Sequence, residues 1–179
     1  MRLFPITAAL ALAACAALPH PHTLPTLPQQ AQWFKLEQTD AAGQTVQTSL
    51  LAVEQLSDGI RFVQTDALGA PVSRQTVSPR GWQNDGFVMP NAQSRRLFAA
   101  LLPLLAAERA AALYPDVRQV QPETPSARHQ AFCPEDSGAL FRYRQRDLWC
   151  VAHKGRQFDI RFPDQTRWIA SPLEEQLEE

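Results

Sequence analysis

The sequence lacks any surplus of charge. Its 17 Lys and Arg stand against 18 Asp and Glu, a formal net charge of −1. A nucleic-acid binder usually carries a clustered basic excess, so that class is excluded. No apolar run reaches the ~20 residues with which a helix crosses a bilayer, which excludes a multi-span membrane protein. Catalytic motifs are missing as well. There is no G-x-S-x-G for an esterase elbow. There is no H-E-x-x-H, phosphate-binding G-x-x-x-x-G-K-[ST] or dinucleotide G-x-G-x-x-G either. His129 with Asp136 and Ser137, or His153 with Asp159, would form a triad only through a fortunate fold, and an isolated His is more often a surface residue. The chain is therefore read as no enzyme, with no catalytic residue, no cofactor and no metal. Disorder is excluded too. The 179 residues are 45% hydrophobic and 20% charged, ordinary globular usage for one domain.

What is present begins with residues 1–14. Met1-Arg2 supplies one positive charge, and Leu3 to Ala14 is apolar apart from Thr7. This is the short apolar core of a secretory signal. It ends in Leu12-Ala13-Ala14-Cys15, which resembles the bacterial lipobox. The resemblance implies diacylglycerol on Cys15, cleavage just before it, and two or three acyl chains, palmitate among them, as a stable anchor. A plain signal with an incidental Cys is the alternative. Ala16 and Ala17 follow instead of an aspartate, which implies sorting to the periplasmic face of the outer membrane.

Residues 15–30 are rich in proline, which removes amide donors and biases neighbours to extended forms. The expectation is a tether. At ~3.1 Å per residue it would hold the body up to about 45 Å from the membrane. His20 and His22 within it read as solvated linker and not as metal ligands.

Residues 31–173 form the single expected domain, and 174–179 a charged tail. Strands are expected at Gln32–Gln38, Val46–Leu56, Ile60–Thr65, Pro71–Val77 and Trp82–Met89. Spacings of about 8–12 residues, with turn signals such as Ser57-Asp58-Gly59, indicate an antiparallel meander. At Asn91, a plausible N-cap, the period changes to helical. Leu97 to Ala107 is unbroken apolar sequence, too short to span a membrane and too apolar to face water. It is either a helix pair packed on the sheet or a lid over a hydrophobic cavity. Pro103 either kinks this helix or begins a second. A proline-broken link leads to strands at Ala139–Arg146, Leu148–His153, Gln157–Phe162 and Thr166–Ala170. Phe158, Ile160 and Phe162 alternate with Asp159 and Arg161, a strand buried on one face.

Leu51-Ala52-Val53-Glu54, Ile60-Arg61-Phe62-Val63, the turn Asp66-Ala67-Leu68-Gly69 and the helical block Arg96 to Leu105 together resemble the LolA/LolB lipoprotein carriers. The chain is most similar to an uncharacterised LolB-like family of outer-membrane lipoproteins. The likeness is diffuse, best from Leu50 to Tyr114, and weaker afterwards. It implies an α+β, mainly antiparallel β fold: a strongly curved half-open barrel closed by a short apolar helical lid. The implied cavity and lid residues are Phe62, Leu97, Phe98, Leu101, Leu102 and Leu105. The implied ligand is hydrophobic or acylated, with a LolA-like periplasmic carrier as a candidate partner. LolB presents a leucine between its third and fourth strands toward the membrane, and Leu68 falls in the matching turn. An ordinary hairpin tip would also accommodate it. Members of this family occur beside aryl-polyene synthesis genes, which makes a lipid-linked polyene one candidate cargo.

Cys133 and Cys150 remain after Cys15 is acylated, and in an exported protein such a pair is expected as a disulfide. A redox motif would usually be Cys-x-x-Cys, which is absent. Arg142, Arg144 and Arg146 lie two apart and would line one strand face, either for anionic headgroups or simply in solvent. Two functions remain: a lipoprotein that binds and transfers a hydrophobic ligand, or an assembly lipoprotein docking its apolar helices on an envelope partner. A carrier would co-purify with lipid.

Overall fold

A computed structural model describes residues 18–105, 110–120, 133 and 138–173. Five strands come first: β1 (Gln32–Thr39), β2 (Thr45–Gln55), β3 (Ile60–Asp66), β4 (Pro71–Ser78) and β5 (Gly81–Asn84). Helix α1 (Ala92–Leu105) and the short α2 (Ala110–Leu113) follow. Five further strands are β6 (Val117–Val120), β7 (Ala139–Tyr143), β8 (Arg146–Lys154), β9 (Gln157–Arg161) and β10 (Arg167–Pro172). All pair antiparallel in one ten-stranded sheet, in the order β5-β4-β3-β2-β1-β10-β9-β8-β7-β6. The sheet does not close. β5 and β6 are its edges, and the helices connect them.

The meander follows from local chemistry. In the β3–β4 turn, the Asp66 carboxylate accepts from the Leu68 and Ala70 amides at 2.9 and 2.8 Å. Gly69 there has φ +84°, a conformation glycine adopts without a Cβ penalty. The Asn91 side chain accepts from the Ser94 amide at 3.0 Å and so caps α1, as its sequence position suggests. Pro103 lies inside α1.

Inward residues of both halves form one core, from Phe34, Leu51 and Phe62 to Trp149, Ile160 and Trp168. Every residue from Leu97 to Pro103 is buried. Seven successive helical positions point in all directions around the axis, so α1 is enclosed on all sides. A flat sheet would cover one side only. The sheet therefore curves around the helix.

Four details depart from the sequence expectations. The proline-rich stretch is not a free tether from residue 18 onward. Pro19, Pro21 and Pro25 are buried and Leu27 joins the core. The His22 amide donates to the Leu113 carbonyl at 3.0 Å, and the Leu27 amide to Gln55 Oε1 at 3.0 Å. Proline's lost donors and fixed φ suit it to lying against a surface as well as to spanning solvent. Secondly, β5 ends at Asn84, and residues 85–91 form a loop where the strand was expected to reach Met89. Thirdly, the proline-broken link contains β6. Lastly, Ala139–Arg146 is not one strand: Tyr143 pairs with Arg146 across a two-residue turn, with Arg144 at φ 55°.

Candidate functional site

The inward face is apolar at one end of the sheet and polar at the other. Along β2 it runs Val53, Leu51, Ser49; along β3, Ile60, Phe62, Gln64; along β4, Val77, Gln75, Ser73. All nine side chains are buried. The register brings the polar members together, because Gln64 pairs directly with Ser73 and, lying opposite Leu51, sits diagonal to Ser49. The N-terminal turns of α1 dock there. Ser94 Oγ donates to Gln64 Oε1 at 2.7 Å, and Gln64 Nε2 donates to Ser49 Oγ at 2.9 Å. Gln75 Nε2 donates to Ser73 Oγ at 2.8 Å and to the Asn91 carbonyl at 3.0 Å, while Arg95 Nε donates to Gln75 Oε1 at 2.7 Å. One residue further along, Arg96 pairs with Asp164 at 2.6 Å and lies over the Phe162 ring. Burial raises the Asp164 pKa, but the hydrogen bonds from Arg96 and Thr166 outweigh it and hold the carboxyl below its usual range. The helix is thus held by polar contacts at its start and by apolar packing beyond.

The expected cavity residues meet one another directly. Phe62, Leu97, Phe98, Leu101 and Leu102 are all fully buried, and Leu105 packs partly exposed against the core. The Phe62 and Phe98 rings stack at 4.8 Å. Tyr114 Oη donates to the Ala99 carbonyl at 3.0 Å, and burial pushes its phenol far above the usual range. In this conformation α1 occupies the concave volume. It also presents no free face along Leu97–Pro103 to an envelope partner. Among the described residues three buried polar atoms on the paired strands β1 and β10, Gln32 Nε2, Thr39 Oγ1 and Trp168 Nε1, have no hydrogen-bond partner.

Leu68 sits at the β3–β4 tip and is 94% exposed. The next loop at that end, 85–91, carries Phe87 and Met89, which are comparably exposed. Sequence reading passed over both because they fell within an expected strand.

The arginine row does not form one face. Arg142 Nε binds Asp147 Oδ1 at 2.7 Å, Arg144 occupies the turn over the Tyr143 ring, and Arg146 is exposed beyond it. The left-handed turn at Arg144 reverses the chain between them. Cys133 and Cys150 are joined by a disulfide, with Cα atoms 5.4 Å apart. Together with Leu140 they form a small cluster separate from the main core. Gly138 is required beside the bridge, since a Cβ there would lie 2.6 Å from the Cys150 sulfur. Asp159 is 1% exposed and bound by Arg161 and Arg167, the latter through paired contacts at 2.8 Å. Burial alone would raise its pKa, but the two guanidinium groups outweigh it and hold the carboxyl well below the usual range. That carboxylate is structural and makes no triad with the exposed His153. The His20 and His22 rings lie 6.1 Å apart, tilted by 40°. Cys15, His129, Asp136 and Ser137 lie outside the described residues.

The fold and this site define a class in coarse terms: an open antiparallel sheet curved around a buried apolar helix, stapled by one disulfide. No described helix is long and apolar enough to cross a membrane. The chain matches no protein-family model and no curated relative.

Proposed function

We propose that the protein is an outer-membrane-anchored lipoprotein that binds a hydrophobic or acylated ligand and helps transfer or insert it at the periplasmic face, in the manner of LolB-like carriers. The observation that carries this reading is the helix α1, an apolar element latched by polar contacts inside a sheet that stays open. Release of the Ser94–Gln64 and Arg95–Gln75 contacts would swing the helix start outward and expose Phe62 and its neighbours to an acyl chain. The unpartnered Trp168 donor supports the same reading, because a buried donor without an acceptor costs about 1–3 kcal/mol and an ester carbonyl would offset that. Leu68, at the β3–β4 tip, is the residue for membrane contact during delivery. Cys15 carries the anchor, and a LolA-like periplasmic carrier is the candidate donor.

The test is native mass spectrometry of the exported Cys15→Ala protein prepared without detergent. A lipid-sized adduct, displaced by a hydrophobic dye, is the expected result. Leu68→Glu is expected to keep folding and adduct while losing delivery to vesicles. Absence of both adduct and dye binding would overturn the carrier reading.

A further inference from the structure

The position of Pro19 sets where a lipid anchor would hold the body, an inference that rests on the acylated Cys15 of the reading above. The Trp82 Nε1 donates to the Pro19 carbonyl at 3.1 Å, so Pro19 lies beside the β5 edge. Cys15 precedes Pro19 by four positions. An extended chain spans at most ~3.6 Å per residue, which places the anchor within about 14 Å of Pro19. The edge formed by β5 is therefore held close to the bilayer and does not float at the end of a long tether.

From the Trp82 contact, β5 runs toward loop 85–91. Asp85 donates its amide to the Arg74 carbonyl, which continues the strand direction toward the start of β4. Thr65 pairs with Pro71, so the β3–β4 tip lies at this same end. Phe87 and Met89 are 108% and 80% exposed, and Leu68 on the neighbouring tip is 94% exposed. The other large exposed apolar side chains, Trp33, Val46, Leu50 and Leu173, reach only 38–57%. Three side chains that gain nothing from the body thus stand together on adjacent loops, at the edge to which the anchor is tied. Loop 85–91 has one charged residue, Asp85, whose carboxylate is already bound by Arg61 at 2.7 Å and Arg74 at 3.0 Å. Sinking the loop among lipid headgroups leaves no lone carboxylate there.

We propose that loop 85–91 is a membrane-insertion loop, in which Phe87 and Met89 enter the acyl boundary of the bilayer beside Leu68. The occupant is a lipid surface. Attraction is apolar, so it is insensitive to salt.

The experiment places the full acylated chain in vesicles of phosphatidylethanolamine and phosphatidylglycerol, with a photo-crosslinking phenylalanine analogue replacing Phe87, or separately Trp33. Lipid adducts at position 87 several-fold above those at 33 are expected. Equal adducts at the two positions would overturn the proposal, as would exclusive crosslinking to protein. A second measurement uses the non-acylated Cys15→Ala chain. Phe87→Glu with Met89→Glu is expected to weaken its binding to the same vesicles about tenfold, at unchanged thermal midpoint and in high or low salt. Binding that falls with salt but not with these substitutions would overturn the loop assignment. A chain that crosslinks at position 87 yet carries no lipid adduct in the mass spectrometer leaves the loop standing and removes the carrier reading. The reverse pattern removes the loop alone.

Discussion

Replacing Gln64 by Leu removes an amide from the buried latch while keeping a similar side-chain volume. In the native structure that amide accepts from Ser94 at 2.7 Å and donates to Ser49 at 2.9 Å. Gln64→Leu strands two hydroxyls that are themselves buried, at 1% and 2% exposure. Each orphaned buried hydroxyl costs about 1–3 kcal/mol and the apolar burial gained by leucine offsets part of it, so the variant is expected to lose about 2–4 kcal/mol. For a domain of this size that lowers the midpoint by roughly 5–12 °C. The decisive comparison is the triple variant Ser49→Ala, Gln64→Leu, Ser94→Ala. Removing every partner together leaves nothing unsatisfied, so the triple variant is expected to recover most of the loss. Urea and thermal unfolding, followed by tryptophan fluorescence with the disulfide intact, read both. A single variant within about 0.5 kcal/mol of wild type would refute the latch. A triple variant no better than the single would refute its closed hydrogen-bond accounting. In the triple variant apolar packing replaces the polar release point. If α1 must swing out, ligand uptake then slows while stability is retained.

Three further outcomes are expected. Cys150→Ser should cost about 3 kcal/mol, the chain-entropy value for a bridge spanning a separation of 17 residues, and unfolded unreduced protein should show no free thiol at Cys133 or Cys150. Gly138→Ala should destabilise the oxidised protein by about 1–3 kcal/mol, because its Cβ would meet the Cys150 sulfur at 2.6 Å, and thermal unfolding under reducing conditions should show a smaller penalty. Asp159 has a folded pKa below its unfolded value, so its contribution is fully present above about pH 4 and drains away as pH falls further; midpoints measured from neutral pH to about pH 2 should drop less steeply in Asp159→Asn than in wild type.

Much of the fold was legible in the sequence. Ser57-Asp58-Gly59 and Asp66-Ala67-Leu68-Gly69 mark hairpins because Asp and Gly satisfy tight turns locally. Asn91 marks the helix start for the same reason. The polar latch was legible in principle. The period-two pattern that puts Leu51 and Val53 inward also puts Ser49 inward, and likewise Gln64 with Phe62, and Ser73 and Gln75 with Val77. The signal was a polar residue at a core position in three successive strands, all toward one end. Loop 85–91 was legible in the turn signal Asn84-Asp85-Gly86, which the apolar Phe87, Val88 and Met89 after it masked. The proline-rich segment misled in the same way, because its composition describes the backbone and not what covers it.

The sequence by itself determined most of the strands, though not β6, the end of β5 or the break after Tyr143, as well as that an apolar helix would need covering and that Cys133 and Cys150 would pair. These follow from periodicity, turn chemistry and the cost of leaving apolar surface in water, all of which act over a few residues. Tertiary structure alone decided that β1 pairs with β10, that the sheet stays open between β5 and β6, and that Pro19 rests against Trp82. Those choices depend on contacts between residues far apart in the chain. Their stability comes from shared burial of α1, a quantity that no single segment contains.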